Sequence, residues 1–406
     1  MIKKTLNYLL FSVVSSGIGF LTVMYMAKTI TQEEMGIIGL FMAVLYMAPQ
    51  LVSFASSGLV SINKAKLSND NFIDFSKSYL TFGLINFIVI FVLSILIGLF
   101  FKEYWLLFII LPILSFFIFL VSFHQAELLQ EGLSKSYGYY NLFNSIISAL
   151  LTVLFLSYFS LSWDGRLWAM ILGQCLVFML MYKKSFNTLH QFKLTIDKVK
   201  FREFFKFGLP LFFGLGAGWI LNQADNYIVL YFFSLKDVGI YAVAYSIGNI
   251  VNTINHAATN AIVPRLYSAL SKKEGHQIIK KINFYYSLMI LLFSLIVGIS
   301  SYWYVPILFG EDYLQSSDII FFISLAFGFN GIYRTTGGVI AFYKRNKLQM
   351  QLIYLSATIN VIVSILLIPY FGIVSPAIGT MIAFIVLAYT SYYFGWKILK
   401  KEELNL

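Results

Sequence analysis

Apolar stretches long enough to cross a bilayer follow one another along nearly the whole chain, separated by short polar breaks. A hydrocarbon core of about 30 Å needs roughly 20 apolar residues in a helix. By that measure the pattern predicts twelve spans, at 6–28, 35–61, 79–101, 105–127, 139–161, 164–182, 207–233, 238–262, 283–309, 315–343, 350–370 and 373–396. Alternate breaks are only a few residues long, as at Thr29–Glu34, Lys102–Glu103, Ser234–Asp237 and Gly310–Leu314. The longest polar stretch, Lys183 to Lys206, follows the sixth span, where a protein of two halves places its linker. The expected fold is an all-α integral membrane protein. It has an N-terminal six-helix bundle over 1–182, a cytoplasmic linker over 183–206 and a C-terminal six-helix bundle over 207–406.

An even number of spans puts both termini on one side. With the breaks assigned alternately, 24 of the 29 Lys and Arg residues fall on the terminal side and 4 on the other, Lys28, Lys102, Arg166 and Lys236. Basic residues collect in cytoplasmic loops, so both termini are expected in the cytoplasm. Only Arg334 remains, deep within a span.

Composition agrees: 59% of residues are hydrophobic and 12% charged, against roughly 45–50% and 25% in soluble domains. A net charge of +11 would suggest nucleic acid in a soluble protein. Here the loop bias accounts for it, and the expected surroundings are membrane lipid, with no nucleic-acid partner. Cys175 is the sole cysteine, which excludes an intrachain disulfide and a cysteine metal site. The opening Met-Ile-Lys-Lys resembles a signal peptide, but no small-residue cleavage site closes the apolar run, so it reads as an uncleaved first span.

The two halves echo each other. Thr31-Gln-Glu-Glu34-Met-Gly36-Ile opens the second span and Ser234-Leu-Lys-Asp237-Val-Gly239-Ile opens the eighth, 203 residues later. Both have the form of a capping box, in which a hydroxyl and an acid satisfy orphan N–H groups at a helix start. The acid also favours the positive end of the helix dipole. Six spans per half is even, so the repeats should share one orientation. Breakers occur within spans: Pro49, Pro112, and Pro210 with Gly214, Gly216 and Gly218 in the seventh. Such glycines serve either close helix packing or bending during a transport cycle.

Charge within a span is unfavourable by roughly 2.5–3.5 kcal/mol at a helix centre, so the buried ions are the candidates for chemistry. Arg334 lies ten residues before Lys344, about 15 Å from that end. Asp225 lies nine residues before Ser234, about 12–14 Å deep. The two could form an ion pair. Alternatively Arg334 binds an anionic head group, since guanidinium meets phosphate bidentately; Asn330 lies one turn before it. The eighth span carries a polar stripe, Asn249, Asn252, His256 and Asn260, flanked by Thr253 and Asn255. These positions share one helical face. They either bond to neighbouring helices or line a wet cavity that takes sugar hydroxyls. Asn222 sits almost one turn before Asp225. His124 and Glu127 read as interfacial and Lys28 as snorkelling to the surface.

No paired-His zinc motif, Walker loop or nucleophile elbow is present, so neither an ATP-driven pump nor an enzyme of those classes is indicated, and no cofactor is implied. A secondary transporter remains.

Three stretches carry a family resemblance: Thr31-Gln-Glu-Glu-Met-Gly-Ile, Asp225 followed by Val238-Gly-Ile-Tyr-Ala-Val-Ala-Tyr245, and Tyr370-Phe-Gly-Ile-Val-Ser-Pro-Ala-Ile-Gly379. With the topology, they resemble the polysaccharide-biosynthesis, O-antigen (Wzx-type) flippases of the multidrug/oligosaccharidyl-lipid/polysaccharide (MOP, MATE-like) superfamily. Asn226 stands where such proteins often carry a basic residue after the acid. The resemblance implies two six-helix bundles around a central cavity in the bacterial inner membrane. The implied cargo is undecaprenyl-pyrophosphate-linked oligosaccharide, as for O-antigen of lipopolysaccharide, moved from the cytoplasmic to the outer leaflet by alternating access. Partners would be a polysaccharide polymerase and chain-length proteins. Two alternatives stay open: a multidrug efflux transporter of the MATE type, and a membrane-embedded polysaccharide-synthesis enzyme.

Overall fold

The computed structural model describes residues 2–185, 193–271 and 276–404. Among them the chain is all-α: α1 (Ile2–Thr29), α2 (Gln32–Leu45), α3 (Ala48–Val52), α4 (Gly58–Lys66), α5 (Asn69–Gly98), α6 (Trp105–Gln130), α7 (Ser134–Ser157), α8 (Trp163–Ser185), α9 (Lys198–Phe232), α10 (Leu235–Ser271), α11 (His276–Phe309), α12 (Ser316–Phe342), α13 (Asn346–Phe371) and α14 (Ser375–Leu404). Among the described residues ten stretches are long and apolar enough to cross a membrane, with α13 and α14 forming one of them. The helix α10 is not in that set, because its stripe of amides and hydroxyls lowers its hydropathy. The protein is a multi-pass membrane protein, and its side chains are arranged accordingly. Leu288, Leu292, Ile296, Ile299, Trp303 and Ile307 form an exposed apolar stripe along α11 at helical spacing, the arrangement lipid favours.

Several predicted boundaries move. The second span is not one helix: α2 stops at Leu45, Pro49 lies in the first turn of α3, and Phe54 and Ala55 take positive φ of 49° and 55°. Proline fits a first turn because the N–H it lacks would have no intrahelical acceptor. A Cβ on Gly208 would collide with the Phe54 carbonyl, so only glycine lets α9 approach this kink. Phe54 stacks there on Phe205 at 4.5 Å. The seventh span also begins earlier, at Lys198, inside the stretch expected to be linker. Asp197 caps it, accepting the N–H groups of Val199 at 2.9 Å and Lys200 at 3.2 Å. The Lys200 backbone N–H is the leading cause that holds this carboxyl below its ordinary range. The extra turns are fixed by packing, with Phe204 fully buried beside Phe75, Tyr79 and Phe82.

The chain forms two compact units, Leu40–Gly216 and Met1–Gly39 with Ala217–Leu406. The first has an aromatic core of Phe72, Phe75, Tyr79, Phe119, Phe123 and Phe204. The second centres on Leu221, Ala326, Ile340, Phe384 and Leu387. In this grouping α1 goes with the C-terminal helices, because it packs along α10, whereas the sequence pattern assigned it to the first six. Within the second unit, α2 and α10 begin side by side. Both starts are closed by the expected capping boxes: Thr31 N–H donates to Glu34 Oε2 at 2.7 Å, and Ser234 N–H to Asp237 Oδ2 at 3.0 Å. The reverse bonds, Glu34 N–H to Thr31 Oγ1 and Asp237 N–H to Ser234 Oγ, are each 3.2 Å.

Candidate functional site

Glycine brings α10 and α12 together. A Cβ on Gly248 would lie 2.5 Å from Ile323 Cγ2, and one on Gly331 would strike the Asn255 amide. Asn255 is fully buried and serves as the clamp. Its Nδ2 donates to the Phe327 carbonyl at 2.5 Å, and its Oδ1 accepts the Tyr286 hydroxyl at 2.9 Å. This amide therefore ties together α10, α11 and α12. The lock sets the register, and one turn beyond Gly331 it places Arg334 against the stripe of α10.

Arg334 Nη2 lies 2.8 Å from His256 Nε2 and 3.4 Å from Asn252 Oδ1, and Nη1 lies 3.2 Å from His256 Nδ1. Asn252 Nδ2 donates in turn to Asn249 Oδ1 at 2.9 Å. Guanidinium only donates, so His256 must offer a lone pair and is a neutral ring in this arrangement. The shorter contact assigns that lone pair to Nε2. None of these partners carries negative charge. Arg334 is half-buried and His256 exposed, so the cluster is a cation held by neutral groups and still accessible.

Four of the eight predicted site residues thus meet: Arg334, His256, Asn252 and Asn249. Asn330 is buried one turn away, with no hydrogen bond joining it to this cluster. Asn260 is exposed at the far end of the stripe. Asn222 Nδ2 donates to the Gly218 carbonyl of its own helix at 2.7 Å.

Asp225 lies elsewhere in the same unit, so the ion pair with Arg334 does not form. Its Oδ2 accepts the Tyr241 and Thr380 hydroxyls, each at 2.7 Å, and Thr380 Oγ1 accepts Asn360 Nδ2 at 2.6 Å. The acid is fully buried among α9, α10, α13 and α14, and its Oδ1 has no hydrogen-bond partner among the described residues. Tyr241, Asn360 and Thr380 escaped the sequence reading because each is ordinary in its own helix and only packing gathers them.

In the other unit, His124 and Glu127 are buried within the protein, 3.2 Å apart. Lys64 sits over the Phe72 ring and pairs with Glu131 at 2.9 Å and Glu127 at 3.9 Å. Arg166, one of the four basic residues on the non-terminal side, reaches from the first turn of α8 to Ser148 and Thr152 of α7, at 3.0 and 2.9 Å.

Residues 25–318 match a protein family described as polysaccharide biosynthesis protein. A Haemophilus influenzae protein described as Lsg locus putative protein 1 is 26% identical over 59% of this chain and 62% of its own length. An uncharacterized membrane protein of Methanocaldococcus jannaschii is 25% identical over 55% of this chain and 45% of its own. The alignments thus span about half to three fifths of these relatives. The fold is similar to an inward-facing multidrug resistance MATE family transporter of the MOP superfamily, with TM-score 0.73 and 14% identity over 98% of both chains. It is also similar to the lipid II flippase MurJ, with TM-score 0.68 and 17% identity over 96% of this chain and 87% of that one.

Proposed function

We propose that this chain, which belongs to the polysaccharide biosynthesis protein family, is a flippase that carries a polyprenyl-diphosphate-linked oligosaccharide across the bacterial cytoplasmic membrane. The observation that carries this reading is the Arg334 cluster, a guanidinium within the spans that bonds to the His256 imidazole and the Asn252 amide. A charge placed at such depth is costly and tends to be functional. A diphosphate supplies negative charge and the two oxygens that suit a guanidinium fork. Asn252 and Asn249 each offer donor and acceptor atoms beside it, the combination sugar hydroxyls need.

In this reading the head group enters from the cytoplasmic leaflet and exchanges with water at Arg334. It leaves toward the outer leaflet as access to the site alternates, while the prenyl tail stays in lipid. Both termini are cytoplasmic, following the 24-to-4 distribution of basic residues. A polymerase and chain-length proteins would consume the product outside. The sign of the site argues against export of cationic drugs, since the accessible charge is positive and Asp225 is sealed among four helices.

Ligand-dependent thermal stability of the purified protein separates the two. Undecaprenyl-diphosphate-linked oligosaccharide should raise the unfolding temperature, and a cationic dye such as ethidium should not. At a hundredfold excess over Kd the stabilisation is about 2.7 kcal/mol. Stabilisation by ethidium alone would reverse the assignment.

A further inference from the structure

A second cation lies within the spans of the Leu40–Gly216 unit, and nothing above assigns it a task. Arg166 Nη1 donates to Ser148 Oγ at 3.0 Å and Thr152 Oγ1 at 2.9 Å. Thr152 spends its own proton on the Ser148 carbonyl, at 2.6 Å, so its lone pairs are left to face the guanidinium. Both Nη1 protons are thereby used, and the plane of the fork is pinned to α7. Nε and Nη2 have no acceptor among the described residues, and neither is a sealed atom. No ion pair among the described residues includes Arg166.

The depth makes this more than a surface arginine. Thr152 and Ser148 lie five and nine residues from the end of α7 at Ser157, about 8 and 14 Å in along the helix. Two neutral hydroxyls orient the ion but do not neutralise it. A clamp between α7 and α8 would need only the one nitrogen already used. What is left is a flat edge of parallel N–H donors on a pinned cation, the shape that takes two oxygens of one phosphate.

We infer that Arg166 is a phosphate-binding point for a lipid head group, with Ser148 and Thr152 as the residues that hold its fork in place. On the proposed orientation it lies in the outer half of the bilayer. The inference rests on the surroundings of Arg166 and not on the transport reading. The phosphate could belong to a polyprenyl diphosphate or to a resident anionic phospholipid.

The test is native mass spectrometry of the full chain from phosphatidylcholine nanodiscs, titrated separately with undecaprenyl diphosphate and with dioleoylphosphatidylglycerol. Arg166→Gln should weaken binding of undecaprenyl diphosphate at least tenfold. Arg166→Lys keeps the charge and a bond to the hydroxyls but loses the open edge, so it should weaken binding severalfold and decides the matter if the glutamine variant does not fold. Weakening confined to phosphatidylglycerol would assign the same site to a resident phospholipid. Repeating the comparison in an Arg334→Gln background reads Arg166 alone, so either arginine can fail without the other. Unchanged binding of both lipids in the folded variants would overturn the inference.

Discussion

Gly36 and Gly239 face each other where α2 and α10 begin, and each meets the other helix's backbone. A Cβ on Gly36 would fall on the Leu235 carbonyl oxygen, and one on Gly239 on that of Gln32. Residues 32 and 235, like 36 and 239, are 203 positions apart. The contact is therefore its own mirror under exchange of the two motifs, the property of an isologous two-fold contact. Three residues on, a Cβ at Gly39 would come within 2.6 Å of the Ala242 Cβ, so the crossing continues through small residues.

Filling this crossing should be unfavourable. Gly36→Ala and Gly239→Ala are each expected to destabilise the purified protein by about 1–3 kcal/mol, the usual range for overpacking. The neighbour is backbone and cannot swing away. The readout is the thermal midpoint in detergent, compared with Gly17→Ala, where nothing lies within 4 Å. Equal midpoints in all three would contradict the close approach.

The glycines of α9 should behave differently. Among the described residues a Cβ at Gly216 or Gly218 would meet nothing within 4 Å, so no contact requires glycine there, and the proposed use is bending. Alanine at both should raise helix stability, since alanine is favoured over glycine by about 0.8–1.0 kcal/mol per residue in a helix interior. Export of surface polysaccharide should fall at the same time. A variant that is more stable and fully active would remove the bending role.

Arg334 and Asp225 should act independently. Arg334→Ala is expected to abolish export while the protein still inserts, and Arg334→Lys to retain part of it, because charge survives without the fork. Asp225→Asn leaves the Tyr241 and Thr380 hydroxyls facing a poorer acceptor, a loss of about 1–3 kcal/mol for a buried group. Combining Arg334→Ala with Asp225→Asn should not restore export, as the two side chains have separate partners. Full rescue measured by glycan export would show coupling that the structure lacks.

Orientation is open to direct labelling. Gln32 Nε2 donates to the Asp312 carbonyl at 2.8 Å, so these two residues share one end of their unit. With Cys175 replaced, single cysteines at Gln32 and Asp312 should react with an impermeant maleimide on intact cells, and one at Lys193 should not. The opposite pattern would invert the proposed topology.

The legible parts of this molecule were those written in local pattern. Apolar length gave the helices, and the Thr31–Glu34 and Ser234–Asp237 boxes gave two helix starts, because both depend on residues a few positions apart. The α10 stripe and Arg334 could be named because polar atoms within an apolar span stand out. What pattern did not supply was pairing. Asp225 and Arg334 were the obvious ions to join, yet the Tyr241 and Thr380 hydroxyls satisfy Asp225 from helices whose approach only packing decides. Arg166 was counted with the basic residues at the helix ends because it stands three positions from the start of α8. Its long side chain returns into the membrane to reach α7. The kink at Phe54 packs against Gly208, 154 residues further on, a contact that no local window contains.

Whether Arg334 handles the diphosphate head group during translocation can be measured in proteoliposomes. Purified protein is reconstituted with a fluorescent undecaprenyl-diphosphate oligosaccharide, and the fraction reachable by a membrane-impermeant quencher is followed over time. Rapid exchange between leaflets is expected with the wild-type chain, and a rate at the protein-free background with Arg334→Ala, at equal reconstitution. A wild-type rate in the folded Arg334→Ala protein would contradict that role.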